Sequence, residues 1–325
     1  MSSSTLLRQH NDKEERSQNS DEEGENEIFG GFAEDGSDIT EKICTALQKN
    51  EEQRDEKYKE EAESLMRVYE GGLTTKRQRL SVYNYLSCNE LFYFDIHEIR
   101  NDATIALFGR RRTGKSFLTR WILYNKRKVF PFGMVMTETK FNLFWEKYVN
   151  KNSIYSGYDP EVLVRLMKRQ GALVKTKKHG QDPRVFVILD DVAGSGSLSH
   201  DPTLKKLFYN GRHYKCFIVV TSQWFKALAP GCRENAEYIF LFGMNNLEEM
   251  EAIRKEYAGQ IEPELFYRML YRYASASSCF VIKAEGKTPY ERFFQYRAQD
   301  PGPFRLGCEE MWEGSNDDWV LRTLV

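Results

Sequence analysis

The chain has 325 residues, of which 14% are aromatic and 29% charged, so it is long enough to bury a core. No apolar run reaches the roughly 18 to 20 residues of a membrane helix, the N-terminus lacks the apolar core of a signal peptide, and the six cysteines form no C-x-x-C pair. We therefore expect a soluble intracellular protein, without a transmembrane segment, a disulfide framework or a zinc site.

The net charge of −1 conceals an asymmetry along the chain. Residues 1–63 carry 19 acidic and 8 basic residues, which leaves 29 acidic and 39 basic residues in the remainder. Residues 1–37 hold almost no apolar side chains and are predicted to form a disordered acidic tail. Residues 38–75 are predicted to form a charged helical extension, for which a solvated helix and a docking arm remain open. The basic remainder suits a polyanionic partner.

Residues 76–298 have a globular, aromatic composition and alternate between apolar runs and helical periodicity. Residues 91–96 are predicted to form a strand or an edge element. The other predicted strands are 104–108, 132–136, 185–189, 216–221, 238–242, 279–283 and 292–296. The predicted helices are 117–123, 159–170, 246–257 and 263–273. This alternation predicts an α/β fold with a mainly parallel sheet between helices. Residues 299–325 are predicted to form a C-terminal tail, whose Trp312 and Trp319 fit either packing on the domain or docking on a partner.

Residues 109–116 read GRRRTGKS and match the phosphate-binding loop pattern G-x-x-x-x-G-K-[ST]. A buried strand precedes the octet and a helix follows it, which is the context that lets backbone N–H groups surround phosphates. In this frame Lys115 reaches the terminal phosphates of ATP and the Ser116 hydroxyl binds Mg²⁺. The predicted nucleotide-binding residues are Gly109, Arg110, Arg111, Arg112, Thr113, Gly114, Lys115 and Ser116.

Two carboxylates, Asp190 and Asp191, end the apolar run VFVILDD. The carboxyl end of a strand in a parallel sheet is where ligands bind, so both are expected near the phosphates. Asp190 is predicted to hold Mg²⁺, and Asp191 to orient or deprotonate the attacking water.

The next predicted strand ends in the sequence TSQ, which makes Gln223 a candidate sensor of the γ-phosphate. Arg212 lies in the turn before that strand and is a candidate arginine finger acting on a neighbouring subunit. Arg233 competes for this role, and an ordinary surface arginine is the alternative for Arg212. Lys115, Asp191, Gln223 and Arg212 are thus the predicted catalytic residues.

The ordered set GRRRTGKS, VFVILDD and NGRHYKCFIVVTSQ resembles the genome-packaging ATPases of nucleocytoplasmic large DNA viruses, virophages and Polinton-type elements, within the FtsK/HerA superfamily. The resemblance spans about residues 92–242. It implies a RecA-like core with an added strand between the two nucleotide motifs. It also implies a homo-oligomeric ring, a hexamer or pentamer, that uses ATP to thread double-stranded DNA into a preformed capsid. Many relatives have Glu where this chain has Asp191.

The resemblance further implies a location in a viral factory of the host cytoplasm or nucleus, or in the virion, and a capsid or virion membrane protein as partner. The basic segment before the carboxylate strand contains candidate DNA contacts, with a solvated charge run as the alternative. The candidates are Lys175, Lys177, Lys178 and Arg184.

Three other functions remain open at this point, and one of them is a conjugative or repair motor of the same superfamily. A P-loop nucleotide kinase would transfer phosphate to a second nucleotide, yet such an enzyme needs neither a water-activating carboxylate nor a glutamine after the strand. A nucleotide-gated virion assembly module would bind nucleotide and oligomerise with little turnover.

Overall fold

The computed structural model describes residues 91–176, 182–192, 200–274, 278–287 and 289–313. Its strands form one eight-stranded sheet. The strands are β1 (Thr104–Phe108), β2 (Phe132–Thr137), β3 (Ile154–Ser156), β4 (Val185–Asp190), β5 (Cys216–Ser222), β6 (Tyr238–Leu241), β7 (Ser278–Lys283) and β8 (Phe293–Arg297). Their order in the sheet is β3-β2-β4-β5-β1-β6-β7-β8. The first six strands in this order run parallel; β7 pairs antiparallel with β6, and β8 pairs antiparallel with β7.

Helices connect the strands. They are α1 (Lys115–Asn125), α2 (Pro160–Thr176), α3 (Pro202–Asn210), α4 (Pro230–Glu234), α5 (Leu247–Tyr257), α6 (Pro263–Tyr273), α7 (Pro289–Arg292) and α8 (Glu309–Glu313). The predicted α/β fold with a mainly parallel sheet is confirmed. The strand between the two nucleotide motifs is also present, because β5 pairs with β1 on one side and with β4 on the other.

The central strands carry continuous apolar runs because both faces of the sheet are covered. Every residue of β1, β4 and β5 is buried. Leu118 and Ile122 of α1 belong to the same core cluster as Phe186 and Phe217 of the strands. This burial explains why continuous apolar runs, rather than alternating patterns, marked these strands in the sequence.

Residues 91–96, predicted as a strand or an edge element, do not form a regular strand. Within residues 91–96 only Tyr93 pairs with the sheet, through an isolated bridge to Gln295 of β8. The chain then turns into a 3-10 helix at Ile96–Glu98, where the Asp95 carboxylate accepts a hydrogen bond from the His97 backbone N–H. An Asx-type cap therefore ends the extended segment. Strand β3 and helix α3 were not predicted.

The described part of the C-terminal region packs on the domain. The Leu306 N–H donates to the Tyr148 carbonyl, the Cys308 N–H donates to the Pro131 carbonyl, and Met311 lies in the core. The Trp312 indole N–H donates to the Leu306 carbonyl at 2.8 Å. Trp312 therefore supports the packing alternative, whereas Trp319, the acidic tail 1–37 and the extension 38–75 lie outside the described residues.

The parallel strands bring several functional segments to one edge, which we call the carboxyl edge of the sheet. Phe108 of β1 is in register with Ser222 of β5, and Asp190 of β4 is in register with Thr221. The segments that follow these strands must start side by side. The opposite edge, where β1, β4 and β5 begin, is the amino edge. No helix in the described part of the chain is both long and apolar enough to cross a membrane.

Candidate nucleotide-binding and hydrolysis site

The phosphate-binding loop lies at the carboxyl edge, between β1 and α1, and its glycines are required by close packing. A Cβ on Gly109 would lie 2.6 Å from the Cβ of Phe242, and Gly109 has a φ of +153°. Gly114, at the N-cap of α1, has a φ of +103°. A side chain at either position would strain the backbone. The loop therefore closes tightly over Phe242 and exposes the N-terminus of α1.

Lys115 is buried in this loop. Its Nζ donates to the Gly109 carbonyl at 2.7 Å and to the Arg110 carbonyl at 2.9 Å. Burial lowers the pKa of Lys115, and the nearby carboxylates of Asp191 and Asp190 oppose that shift. The ammonium group is thus poised between the loop and the two carboxylates, where a bound phosphate would supply a stronger acceptor.

Asp190 ends β4 with its carboxylate fixed from several directions. The Ser116 Oγ donates to it at 3.1 Å, the Thr221 Oγ1 at 2.8 Å and the Trp145 indole Nε1 at 2.8 Å. The side chain is 5% exposed, and these donors offset the cost of its burial. The contact with Ser116 joins the phosphate loop directly to the carboxylate strand.

Asp191 follows in a left-handed conformation, with a φ of +54°. Its backbone N–H donates to the Thr221 Oγ1 at 2.9 Å, so Thr221 bonds both acidic residues. Burial raises the pKa of Asp191, and the hydrogen bond from Gln223 and the charge of Lys115 oppose the rise. The two neighbouring carboxylates therefore have different donors, since Gln223 donates to Asp191 while Ser116, Thr221 and Trp145 donate to Asp190.

Gln223 follows β5 and contacts both the carboxylate and the loop. Its Nε2 donates to the Asp191 Oδ1 at 2.9 Å and to the Oδ2 at 2.6 Å, while its Oε1 accepts from the Arg111 Nε at 3.1 Å. The structure therefore brings together Lys115, Ser116, Asp190, Asp191 and Gln223, as the sequence predicted.

The remaining loop residues line the mouth of the site. Arg110, Arg111 and Arg112 are exposed, and the Thr113 hydroxyl donates to the Arg110 carbonyl at 2.8 Å. Arg112 has a φ of +61°, which continues the sharp turn between the two glycines. The three arginines add positive charge where phosphates would enter.

Arg212 does not join this cluster. It is exposed in the turn before β5, at the amino edge, and the seven residues of β5 separate it from the carboxyl edge by about 20 Å. Arg233 is held within the domain, because it pairs with Glu256 at 2.9 Å and its guanidinium lies 4.3 Å from the Phe225 ring centroid. Neither arginine reaches the phosphate loop of its own chain.

Two of the candidate DNA contacts, Lys175 and Arg184, also lie toward the amino edge. Lys175 is exposed near the end of α2, and Arg184 precedes β4 and pairs with Asp182. Lys177 and Lys178 lie outside the described residues.

Sequence reasoning missed three residues of the site, Thr221, Trp145 and Phe242. Thr221 stood in the TSQ segment, and a hydroxyl at the end of a buried apolar strand was a usable signal. Trp145 lies in a 3-10 turn 45 residues before Asp190, and no local pattern connects the two.

The parallel sheet with β5 inserted beside β1, and the phosphate loop joined to two carboxylates, define a P-loop ATPase with a RecA-like sheet. The chain belongs to the family of the poxvirus A32 protein, whose family model matches residues 93–276. This assignment confirms the resemblance to ATPases of large DNA viruses.

Proteins of large DNA viruses are similar to about two thirds of this chain. Uncharacterized protein 075L of Invertebrate iridescent virus 6 is 27% identical over 216 residues, which are 64% of this chain and 83% of the relative. Uncharacterized protein L437 of Acanthamoeba polyphaga mimivirus is 27% identical over 234 residues, 68% of this chain and 81% of the relative. Among solved structures, the chain is similar to the genome packaging NTPase B204 from Sulfolobus turreted icosahedral virus 2, with a TM-score of 0.45 and 16% identity over 62% of this chain and 100% of that one.

Proposed function

We propose that the protein hydrolyses ATP to translocate double-stranded DNA and that it packages a viral genome into a preformed capsid. The observation that carries the hydrolytic part is the contact between Gln223 and Asp191 beside Lys115. A carboxylate and an amide at this position serve a water nucleophile, which a kinase excludes. Membership in the family of the poxvirus A32 protein supports the viral packaging role.

The chemistry follows from the positions of these groups. The water oxygen forms a bond to the γ-phosphorus while the bond from that phosphorus to the β,γ-bridging oxygen breaks. Asp191 accepts the proton that the water loses, and its raised pKa suits it to this transfer better than an exposed carboxylate. Lys115 neutralises the charge that develops on the phosphate oxygens.

Ser116 and Asp190 fit a magnesium site, because their oxygens lie 3.1 Å apart and both are hard oxygen ligands. Bound there, Mg²⁺ would neutralise charge on the β- and γ-phosphates. Trp145 and Thr221 hold the Asp190 carboxylate in its orientation from the other side.

Trp145→Phe is expected to raise the Mg²⁺ concentration for half-maximal ATPase activity about tenfold, because a second-sphere donor orients the ligand. The measurement is a Mg²⁺ titration at saturating ATP. Trp224→Phe is the matched control, since Trp224 is 58% exposed and its side chain makes no contact with Asp190. Equal Mg²⁺ requirements in the two variants would show that Trp145 only fills space.

The DNA contacts are proposed on a surface that runs along α2 and α3 toward the amino edge. A groove of about 680 Å³ between α2 and α3 has the basic side chains of Lys168, Lys175 and Lys206 along its lining. Together with Arg184, Lys177 and Lys178, these residues would follow a phosphate backbone in the pore of a ring.

In a homo-oligomeric ring of six or five subunits, a neighbouring subunit would supply the trans-acting arginine that the phosphate loop does not receive from its own chain. Arg212 lies too far from its own phosphate loop but is free on the surface, so it would reach the site of a neighbouring subunit. Arg233 is less suited, because its guanidinium is already paired with Glu256. A capsid or virion membrane protein in the viral factory, in the host cytoplasm or nucleus, would complete the assembly.

The proposed function is tested by steady-state ATP hydrolysis with and without duplex DNA across a salt series. We expect DNA to stimulate hydrolysis several-fold and the stimulation to fade between about 50 and 200 mM salt, because phosphate contacts release counterions. Hydrolysis that is indifferent to DNA at every salt concentration would contradict translocation. Phosphate transfer to a nucleotide would support a kinase, and nucleotide binding with oligomerisation but no turnover would support an assembly module.

A further inference from the structure

Arg111 of the phosphate loop donates a hydrogen bond to Gln223, the residue that contacts the Asp191 carboxylate. The Arg111 Nε donates to the Gln223 Oε1 at 3.1 Å, although the two residues are 112 positions apart. The same glutamine donates through its Nε2 to both oxygens of Asp191. A continuous chain of hydrogen bonds therefore runs from Arg111 through Gln223 to Asp191.

These hydrogen bonds engage the Gln223 amide and the Asp191 carboxylate, the two groups that would act on the attacking water. The amide oxygen of Gln223 accepts from Arg111, and the amide nitrogen is shared between the two Asp191 oxygens. With its amide hydrogens directed at Asp191 and one lone pair of its oxygen taken by Arg111, Gln223 has a single lone pair left for a water molecule. In this arrangement the water-activating groups are bonded to one another.

The weakest of these hydrogen bonds is the one that Arg111 donates to Gln223. Its acceptor is a neutral amide oxygen, and Arg111 is exposed at the mouth of the loop. A terminal phosphate in the loop carries more charge and presents oxygens that match the planar guanidinium. Arg111 would therefore exchange Gln223 for the terminal phosphate. A diphosphate has no group at that position.

We propose that Arg111 is a positioning residue that makes the state of Gln223 and Asp191 depend on the γ-phosphate. When the triphosphate binds, Arg111 turns to the γ-phosphate, and the freed Gln223 amide oxygen accepts a hydrogen bond from the attacking water while Asp191 accepts its proton. After the terminal phosphate leaves, Arg111 returns to Gln223. This inference rests on the proposed ATP hydrolysis at the same site.

The first test measures binding and needs no turnover. Calorimetric titration of the full chain with AMPPCP and with ADP gives the ratio of the two affinities. Arg111→Ala is expected to reduce the preference for the triphosphate analogue about tenfold, the effect of one charge-assisted hydrogen bond. Arg112→Ala removes the same charge one residue later and is expected to weaken both nucleotides by the same factor. Equal changes of the ratio in the two variants would overturn the proposal.

The second test is a double-mutant cycle on kcat with Arg111→Ala, Gln223→Ala and the double variant. Because Arg111 acts through Gln223, we expect the double variant to be no slower than Gln223→Ala within about threefold. Losses that multiply would show independent roles and overturn the proposal. Failure of the wild-type protein to hydrolyse ATP would instead contradict the proposed function, and the binding ratio would still decide the role of Arg111.

Discussion

Asp191→Asn is expected to lower kcat for ATP hydrolysis about a thousandfold, which lies within the range for loss of a general base. The asparagine keeps the shape of the side chain and leaves the backbone bond to Thr221 in place, but its amide cannot accept the proton from water. ATP affinity should stay within a few-fold of the wild-type value, since Asp191 does not contact the loop glycines. Single-turnover hydrolysis and nucleotide titration together measure the two effects.

Asp191→Glu is the control for charge and position. It retains the carboxylate but extends it by one methylene. Partial activity in this variant, together with the loss in Asp191→Asn, would assign the effect to proton acceptance. A loss of less than tenfold in Asp191→Asn would contradict the assignment of Asp191 as the base.

Lys115→Ala is expected to remove measurable ATP hydrolysis and to weaken ATP binding about a hundredfold, because a preorganised charged donor to the phosphates is lost. The two loop carbonyls that Lys115 bonds would then lose their donor as well. Nucleotide titration and steady-state hydrolysis are the measurements.

The chain offers a matched control for the burial of this lysine. Lys126 is 7% exposed, as Lys115 is, and burial lowers its pKa too. Its Nζ donates to the Asn101 Oδ1 at 2.9 Å near the amino edge, far from the phosphate loop. Lys126→Ala should lower the free energy of unfolding while nucleotide affinity is retained. Equal loss of nucleotide binding in both variants would show that the effect of Lys115→Ala comes from destabilised folding.

The residues of the proposed function lie at two opposite edges of the sheet. The carboxyl edge holds the phosphate loop, the paired carboxylates and Gln223, whereas the amino edge holds the exposed Arg212. A ring that places the amino edge of one subunit against the carboxyl edge of the next would bring Arg212 to a nucleotide. The polarity of a parallel sheet thus provides a physical basis for one subunit acting on its neighbour.

Much of the nucleotide site was predictable because its signals are local. The octet at residues 109–116 lies between a strand and a helix, and the apolar run at residues 185–189 leads directly to two carboxylates. Parallel strands place their carboxyl ends at one edge, so the meeting of Lys115, Asp190 and Gln223 followed from strand assignment alone. Strand β3, the outermost strand on one side of the sheet, was not predicted because its three residues carry too weak a periodic signal.

The sequence by itself determined the class of the enzyme and the residues of the phosphate loop, since these depend on short-range spacing and on apolar strands buried on both faces. Only the tertiary structure decided that Trp145 bonds Asp190, that Phe242 packs under Gly109, and that Arg111 bonds Gln223. These contacts join residues 45, 133 and 112 positions apart in the chain. Side-chain contacts over such separations depend on how the loops fold back onto the sheet, and no local pattern of residues encodes them.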